Sequence, residues 1–128
     1  MSKGISIESM VNTFYKKGEH CDYGCHPDDI DKFWDIAADK AKFNKNVYAV
    51  KNWIWCDVSI EDNKLEVVKA DYVLRSNNRQ FDVGDWVRTS PIINFTDNCI
   101  CETSNSFYIL VGKGTRKNAD ESIFSFFG

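Results

Sequence analysis

The chain has 128 residues, a size typical of one domain, and its hydrophobic fraction of 43% is too high for a disordered protein. Its formal net charge of −3 argues against non-specific nucleic-acid binding, which requires a net basic field. The five cysteines are an odd number and no apolar signal or membrane-spanning stretch accompanies them, so we expect reduced thiols in a cytoplasm and no membrane partner.

Helical periodicity dominates the N-terminal third of the chain. Residues 6–17 predict a short helix that Gly18 can stop. A second helix should open at Pro27, whose missing N–H costs nothing there, and should end near residues 43–46. Its apolar residues share one face at 100° per residue, and its aspartates share the opposite face. The apolar set is Ile30, Phe33, Trp34, Ala37 and Ala41, and the acidic set is Asp28, Asp31, Asp35 and Asp39.

From Val47 onwards the pattern has the period of two that is typical of strands. Residues 53–60 alternate, residues 61–64 predict a hairpin turn, and the phase slip at Val67-Val68 predicts a β-bulge. Further short strands follow up to residue 111. Residues 122–127 predict a last strand or a short helix.

These elements predict an α+β fold in a single domain, residues 1–128, with a helical part (1–46) and a β-rich part (47–128). The two N-terminal helices would pack on a strongly bent antiparallel sheet or small barrel of about six strands. We expect Trp53 and Trp55 to lie beneath the second helix, the alternative being an aromatic binding platform. We also expect Trp86 to be buried, because the sheet around it reads as covered on both sides.

Nitrogen and sulfur donors are concentrated in the loop before the second helix. They could bind zinc, which prefers Cys and His ligands, but the Cys-x₃-Cys spacing is less diagnostic than Cys-x₂-Cys, so a polar loop with free thiols is the alternative. The candidate metal ligands are His20, Cys21, Cys25 and His26. Cys99 and Cys101 alternate on a predicted strand far from both histidines, so we interpret them as core residues and predict no catalytic residue and no required cofactor.

Two charged surfaces are candidates for binding. The aspartates Asp28, Asp31, Asp35 and Asp39 could contact a basic protein partner, and the alternative is a solvated helix face that lysines partly neutralise. Residues 112–117 lack the spacing of a phosphate-binding P-loop and predict a basic turn. That turn could still bind an anion if the arginines fold near it. The anionic-ligand candidates are Arg75, Arg79, Arg88, Lys113, Arg116 and Lys117.

One segment carries a family resemblance. Residues 84–117 contain Gly-Asp-Trp-Val-Arg-Thr-Ser-Pro, then Glu-Thr-Ser-Asn-Ser-Phe-Tyr-Ile-Leu-Val-Gly and Gly-Thr-Arg-Lys. This pattern resembles a family of small uncharacterised proteins of proteobacteria and their phages and prophages, although Ser104 stands where a basic residue is expected. The resemblance implies no chemistry. It implies a phage or prophage accessory protein in the cytoplasm of a bacterial host cell.

The function that we expect is therefore non-enzymatic binding of a host protein or protein complex. Inhibitors of host defence complexes, including anti-CRISPR proteins, are one prominent class in this setting. Two alternatives remain. One is a small-ligand or nucleotide-binding domain that uses the arginine cluster, and the other is a zinc-stabilised module.

Overall fold

The structure is a computed structural model that describes residues 18–42, 44–77 and 81–121. The helix predicted over residues 6–17 and the element predicted over residues 122–127 lie outside this part of the chain, as does Arg79. The described residues form one helix and eight strands. The helix α1 spans Ile30–Ala41 after a 3₁₀ turn at Pro27–Asp29, and the strands are β1 (Glu19–Cys21), β2 (Asn46–Ile60), β3 (Asn63–Ser76), β4 (Val87–Arg88), β5 (Asn94–Thr96), β6 (Ile100–Glu102), β7 (Ser106–Val111) and β8 (Gly114–Asp120).

The helix lies where the sequence predicts one, but it follows a 3₁₀ turn at Pro27–Asp29 and ends at Ala41, before the predicted residues 43–46. His26 caps the 3₁₀ turn, because its Nδ1 accepts a hydrogen bond of 3.0 Å from the Asp28 backbone N–H. At the other end Lys42 adopts a left-handed conformation with φ 49°. Its N–H donates to the Ala38 carbonyl, which closes the last turn.

Strand β2 is the centre of the sheet. It pairs with β3 in an antiparallel hairpin along almost its whole length, from Tyr48↔Ser76 to Ile60↔Asn63. On its other side it pairs in parallel, first with β7 and then with β8. The strand order is β1-β8-β2-β7-β6-β5, and β3 and β4 extend from β2. A single long strand therefore holds both halves of the curled sheet together.

A kink in β2 exchanges its two faces. Asn52 has φ 55°, and Gly112, which joins β7 to β8 on the neighbouring side, has φ 74°. Because of this kink, even-numbered Tyr48 and Val50 share a face with odd-numbered Trp53 and Trp55. These four residues belong to one buried cluster, which also contains Val68, Cys101, Tyr108 and Leu110 and which we call the aromatic cluster.

The helix covers the other face of the sheet. Trp34, Ala37 and Ala41 pack with Val47, Ala49 and neighbouring strand residues, and we call this group the helix-side cluster; its further members are Cys25, Cys99, Ile100, Phe107, Ile109 and Val111. The expectation that Trp53 and Trp55 lie beneath the helix is therefore wrong. Both are 1% exposed, so they form no open platform either.

The predicted fold class is also wrong. The described residues are mostly β-structure, with one short helix, and the sheet is mixed instead of antiparallel. Sequence periodicity shows that a segment is extended but not which way its neighbour runs, so the parallel pairs of β2 could not be inferred. Strands β1 and β8 were missed because they lie in the polar segments that predict a loop and a basic turn.

The bulge lies elsewhere than predicted. Val67 and Val68 pair in continuous register with Cys56 and Trp55, whereas the register shifts between Ala49 and Val50. Both valines are buried because clusters cover both faces of the hairpin at this point. Two consecutive apolar residues therefore indicate double coverage here and not a slip of phase.

Candidate functional site

A polar network lies where β8 meets β2. The Arg116 guanidinium forms a bidentate ion pair with Asp57, with Nε–Oδ2 2.7 Å and Nη2–Oδ1 2.8 Å. Its Nη1 donates to the Tyr23 hydroxyl at 3.1 Å, and Glu66 lies 3.7 Å from Nη2. The hydrogen bond to Asp57 raises the pKa of Arg116 further above its usual value. The parallel pairing of β2 with β8 produces this contact, because it places Arg116 opposite Trp55, which is two residues before Asp57 on β2.

Aromatic rings lie beneath this network. The rings of Tyr23 and Phe95 pack on Trp55, with centroid distances of 5.1 Å and 5.0 Å. The Arg116 guanidinium lies 5.5 Å from the Trp55 ring centroid. The Trp55 Nε1 atom is buried and has no hydrogen-bond partner among the residues that the structure describes. The network therefore closes one end of the aromatic cluster.

A cleft of about 620 Å³ adjoins the network. Its lining residues are Gly18, Glu19, His20, Asp57, Arg116, Lys117 and Asn118. Burial, reinforced by the charge of Lys69, lowers the pKa of Lys117. Because Asp57 already binds Arg116 through two hydrogen bonds, an anion in this cleft would have to compete with a carboxylate. The geometry therefore favours a structural role for Arg116.

Lys117 lines the same cleft as Arg116, but the structure does not gather the other described basic candidates there. Arg75 pairs with Asp31 at 2.8 Å and stacks on the Trp34 ring at 4.2 Å. Arg75 pairs with Ala49 on β2, six positions before Trp55, the residue with which Arg116 pairs. Arg88 donates to the Thr89 carbonyl, and burial lowers its pKa. Lys113 is exposed at the kink between β7 and β8.

The four candidate metal ligands point to different places. Cys21 belongs to the aromatic cluster and Cys25 to the helix-side cluster, on opposite faces of the sheet. His20 pairs with Asp22 at 2.9 Å, and His26 caps the 3₁₀ turn. Within residues 18–42, 44–77 and 81–121, no group of three or more His, Cys, Asp or Glu side chains could hold a metal ion.

The aspartates of the helix form an exposed face. Asp28, Asp31, Asp35 and Asp39 are all exposed, and Asp31 is engaged by Arg75. Asp28 Oδ2 lies 3.4 Å from His26 Nδ1, and Asp35 and Asp39 are exposed on the same helix. This surface has charge but no apolar side chain at its centre.

The structure shows an exposed apolar surface that was not predicted from the sequence. Trp86 is 50% exposed, and its neighbours Val83 and Tyr72 are exposed as well. Gly84 has φ 94° and lies beside the Tyr72 ring, which brings the loop against β3. Trp86 precedes β4, a two-residue strand whose pairing partner among the described residues is β3. We call the set Tyr72, Val83 and Trp86 the Trp86 surface.

The described residues thus form a curled mixed sheet with one covering helix, a polar network around Arg116 and an exposed aromatic surface. The chain belongs to the family described as Domain of unknown function (DUF6957), whose model matches residues 23–125. No curated protein and no solved structure matches it. No helix in the described part of the chain is long and apolar enough to cross a membrane.

Proposed function

We propose that the protein is a non-enzymatic accessory protein of the phage or prophage type that acts by stoichiometric binding of a host protein, with the Trp86 surface as the contact. Inhibition of a host defence complex is the specific activity that this setting favours. The observation that carries the proposal is the exposure of Trp86 within a motif in which several other residues have structural roles.

These structural roles are found in both the first and the last part of residues 84–117, the segment that carries the family resemblance. In its first part, Val87 and Thr89 are 1% exposed, and the Thr89 hydroxyl accepts a hydrogen bond from the Val68 N–H. In its last part, Gly112 supplies the left-handed kink and Arg116 binds Asp57. Folding therefore accounts for these positions, whereas a half-exposed tryptophan gains little from folding and is typical of an interface anchor.

The surroundings of Trp86 indicate the chemistry of the partner. Asp82 and Asp85 are exposed in the same loop, whereas Asp71 on β3 is already paired with Lys69. An apolar centre with carboxylates at its rim fits a protein that presents Lys or Arg beside an apolar side chain. The aspartates of the helix are a second candidate contact, because all four are exposed and three are not bound by Arg75.

Affinity capture from the bacterial host with matched baits tests the proposal. The baits are the wild type, Trp86→Ala, Ile93→Ala and a variant with Asn at positions 28, 31, 35 and 39. Ile93 is the matched control because it is 62% exposed but lies next to β6, outside the Trp86 surface. We expect one protein that the wild type and Ile93→Ala capture equally and that Trp86→Ala loses by roughly 30-fold, the effect of an interface hot spot.

Stoichiometry completes the test. Native mass spectrometry of the purified pair should give a fixed ratio of the two proteins, and inhibition should require that ratio. Equal capture by wild type and Trp86→Ala would remove the Trp86 surface from the proposal, and loss only in the Asn variant would assign the contact to the helix. Activity at a small fraction of one molecule per target would overturn binding as the mechanism.

A further inference from the structure

We propose that Cys25 and Cys99 form a reversible disulfide, which makes this pair a redox modification site. Both are free thiols in the structure, and both belong to the helix-side cluster. They lie far apart in sequence, in the loop before α1 and in the turn before β6. The inference is independent of the proposed partner, because it rests on the geometry of these two residues alone.

The backbone holds the two cysteines side by side. The Cys25 N–H donates to the Leu110 carbonyl at 2.9 Å, and the Leu110 N–H donates to the Cys99 carbonyl at 2.8 Å. Both residues therefore bind the same residue of β7 on the same flank. A further bond, from the Gly24 N–H to the Asn98 carbonyl at 2.9 Å, ties their two loops together. These hydrogen bonds bring the two backbones together, and proximity of the two Cα atoms is what a disulfide requires.

The side chains complete the pair. The two thiols are hydrogen-bonded to each other, which lowers the pKa of Cys25 and raises the pKa of Cys99. The hydrogen bond therefore stabilises the thiolate of Cys25 relative to that of Cys99. Cys25 is 7% exposed and Cys99 is fully buried, so Cys25 is the sulfur that a small oxidant reaches first. The buried thiols of Cys56 and Cys101 contrast with Cys25, because burial raises the pKa of each.

The chemistry balances with a hydroperoxide as oxidant. The Cys25 thiolate attacks one peroxide oxygen, the O–O bond breaks, and hydroxide leaves with the electron pair. The Cys99 sulfur then attacks the sulfenic acid at Cys25, the S–O bond breaks, and water forms. Two thiols lose two electrons and two protons, and one hydrogen peroxide becomes two waters. The product locks the loop before α1 to the turn between β5 and β6.

Oxidation of the folded protein tests the proposal. The purified full chain is treated with hydrogen peroxide, the peroxide is removed with catalase, and the protein is then denatured, alkylated with iodoacetamide and analysed by intact mass and peptide mapping. We expect a mass lower by two hydrogen atoms, three alkylated cysteines, and a cross-linked peptide that joins residues 25 and 99. Dithiothreitol should restore five alkylated cysteines. Because mapping of the wild type identifies the bond directly, the result does not depend on any variant folding.

Variants then assign the order of attack. Cys99→Ser should stop at a sulfenic acid at Cys25 that dimedone traps, whereas Cys25→Ser should give neither product. Cys101→Ser is the matched control, because it lies two residues from Cys99 but in the aromatic cluster, and it should form the cross-link at the wild-type rate. No loss of mass, or a cross-link between Cys21 and Cys101, would overturn the proposal.

Discussion

A methyl group added at Gly114 should destabilise the protein strongly. A Cβ atom there would overlap three ring carbons of Trp53. The ring cannot move away easily, because Trp53 is 1% exposed and its Nε1 donates to the Gly112 carbonyl at 3.2 Å. Overpacking of a core costs about 1–3 kcal/mol. Disturbing the indole hydrogen bond adds about 1 kcal/mol.

We therefore expect Gly114→Ala to lower the free energy of unfolding by about 2–4 kcal/mol. At a urea m-value of about 1.5 kcal/mol/M, the denaturation midpoint should fall by roughly 2 M. Gly112→Ala is the matched control, because a Cβ at Gly112 meets no atom within 4 Å and only its φ of 74° is unfavourable. That strain should cost about 1–2 kcal/mol.

A double-mutant cycle separates overpacking against Trp53, expected at Gly114, from backbone strain, expected at Gly112. In a Trp53→Leu background, which removes the overlapping ring, Gly114→Ala should cost at least about 1 kcal/mol less than in the wild type. The cost of Gly112→Ala should stay the same within about 0.5 kcal/mol. If Gly114→Ala proves no more costly than Gly112→Ala, or if its cost is independent of residue 53, then overlap with the Trp53 ring is not what makes a Cβ atom at Gly114 unfavourable.

Three further predictions concern the helix, an ion pair and the Trp86 surface. Trp34→Ala should lower the free energy of unfolding by about 3–5 kcal/mol, the usual cost for a buried aromatic side chain, and an unchanged denaturation midpoint would contradict the packing of α1. The hydrogen bond from Lys45, at 2.5 Å, lowers the pKa of Glu102, so the stability that this carboxylate contributes is present above its unfolded pKa and is lost as the pH falls through its folded pKa. Glu102→Gln should therefore destabilise the protein at neutral pH but not in acid, as urea titrations across that range would show, and a gap that persists in acid would refute the linkage. Trp86 should be quenched readily by iodide in a protein whose other tryptophans are replaced, and resistance to quenching would contradict its exposure.

The sequence predicts best what local patterns encode. The helix with its Pro27 start, the β2–β3 hairpin and the apolar strand β7 all follow from periodicity and turn residues. The ion pair between Asp57 and Arg116 could not be predicted in this way, because its partners are 59 positions apart and meet only through a parallel pairing. The left-handed kink at Asn52 is equally invisible, since a single residue reverses the alternation on which face assignment depends.

Trp86 shows a different limit. Apolar residues near it in the sequence indicated coverage on both faces, but β4 ends the sheet at this point and leaves the ring half exposed. A short strand at an edge and a long strand in the centre have similar composition. The candidate surface therefore emerges only when the lengths of the strands are known.

The parallel pairing of β2 also governs the order in which the strands of the sheet can pair while the chain is being synthesised. Its partners in β7 and β8 follow it by about sixty positions, as in Asn46↔Ser106 and Ile54↔Thr115. The hairpin of β2 with β3 can form as soon as residue 76 is available, but the other edge of β2 has no strand to pair with until residues 106–120 have been made. A nascent chain therefore carries an open edge on its central strand for much of its translation. Such an edge can pair with another chain until β7 and β8 cover it.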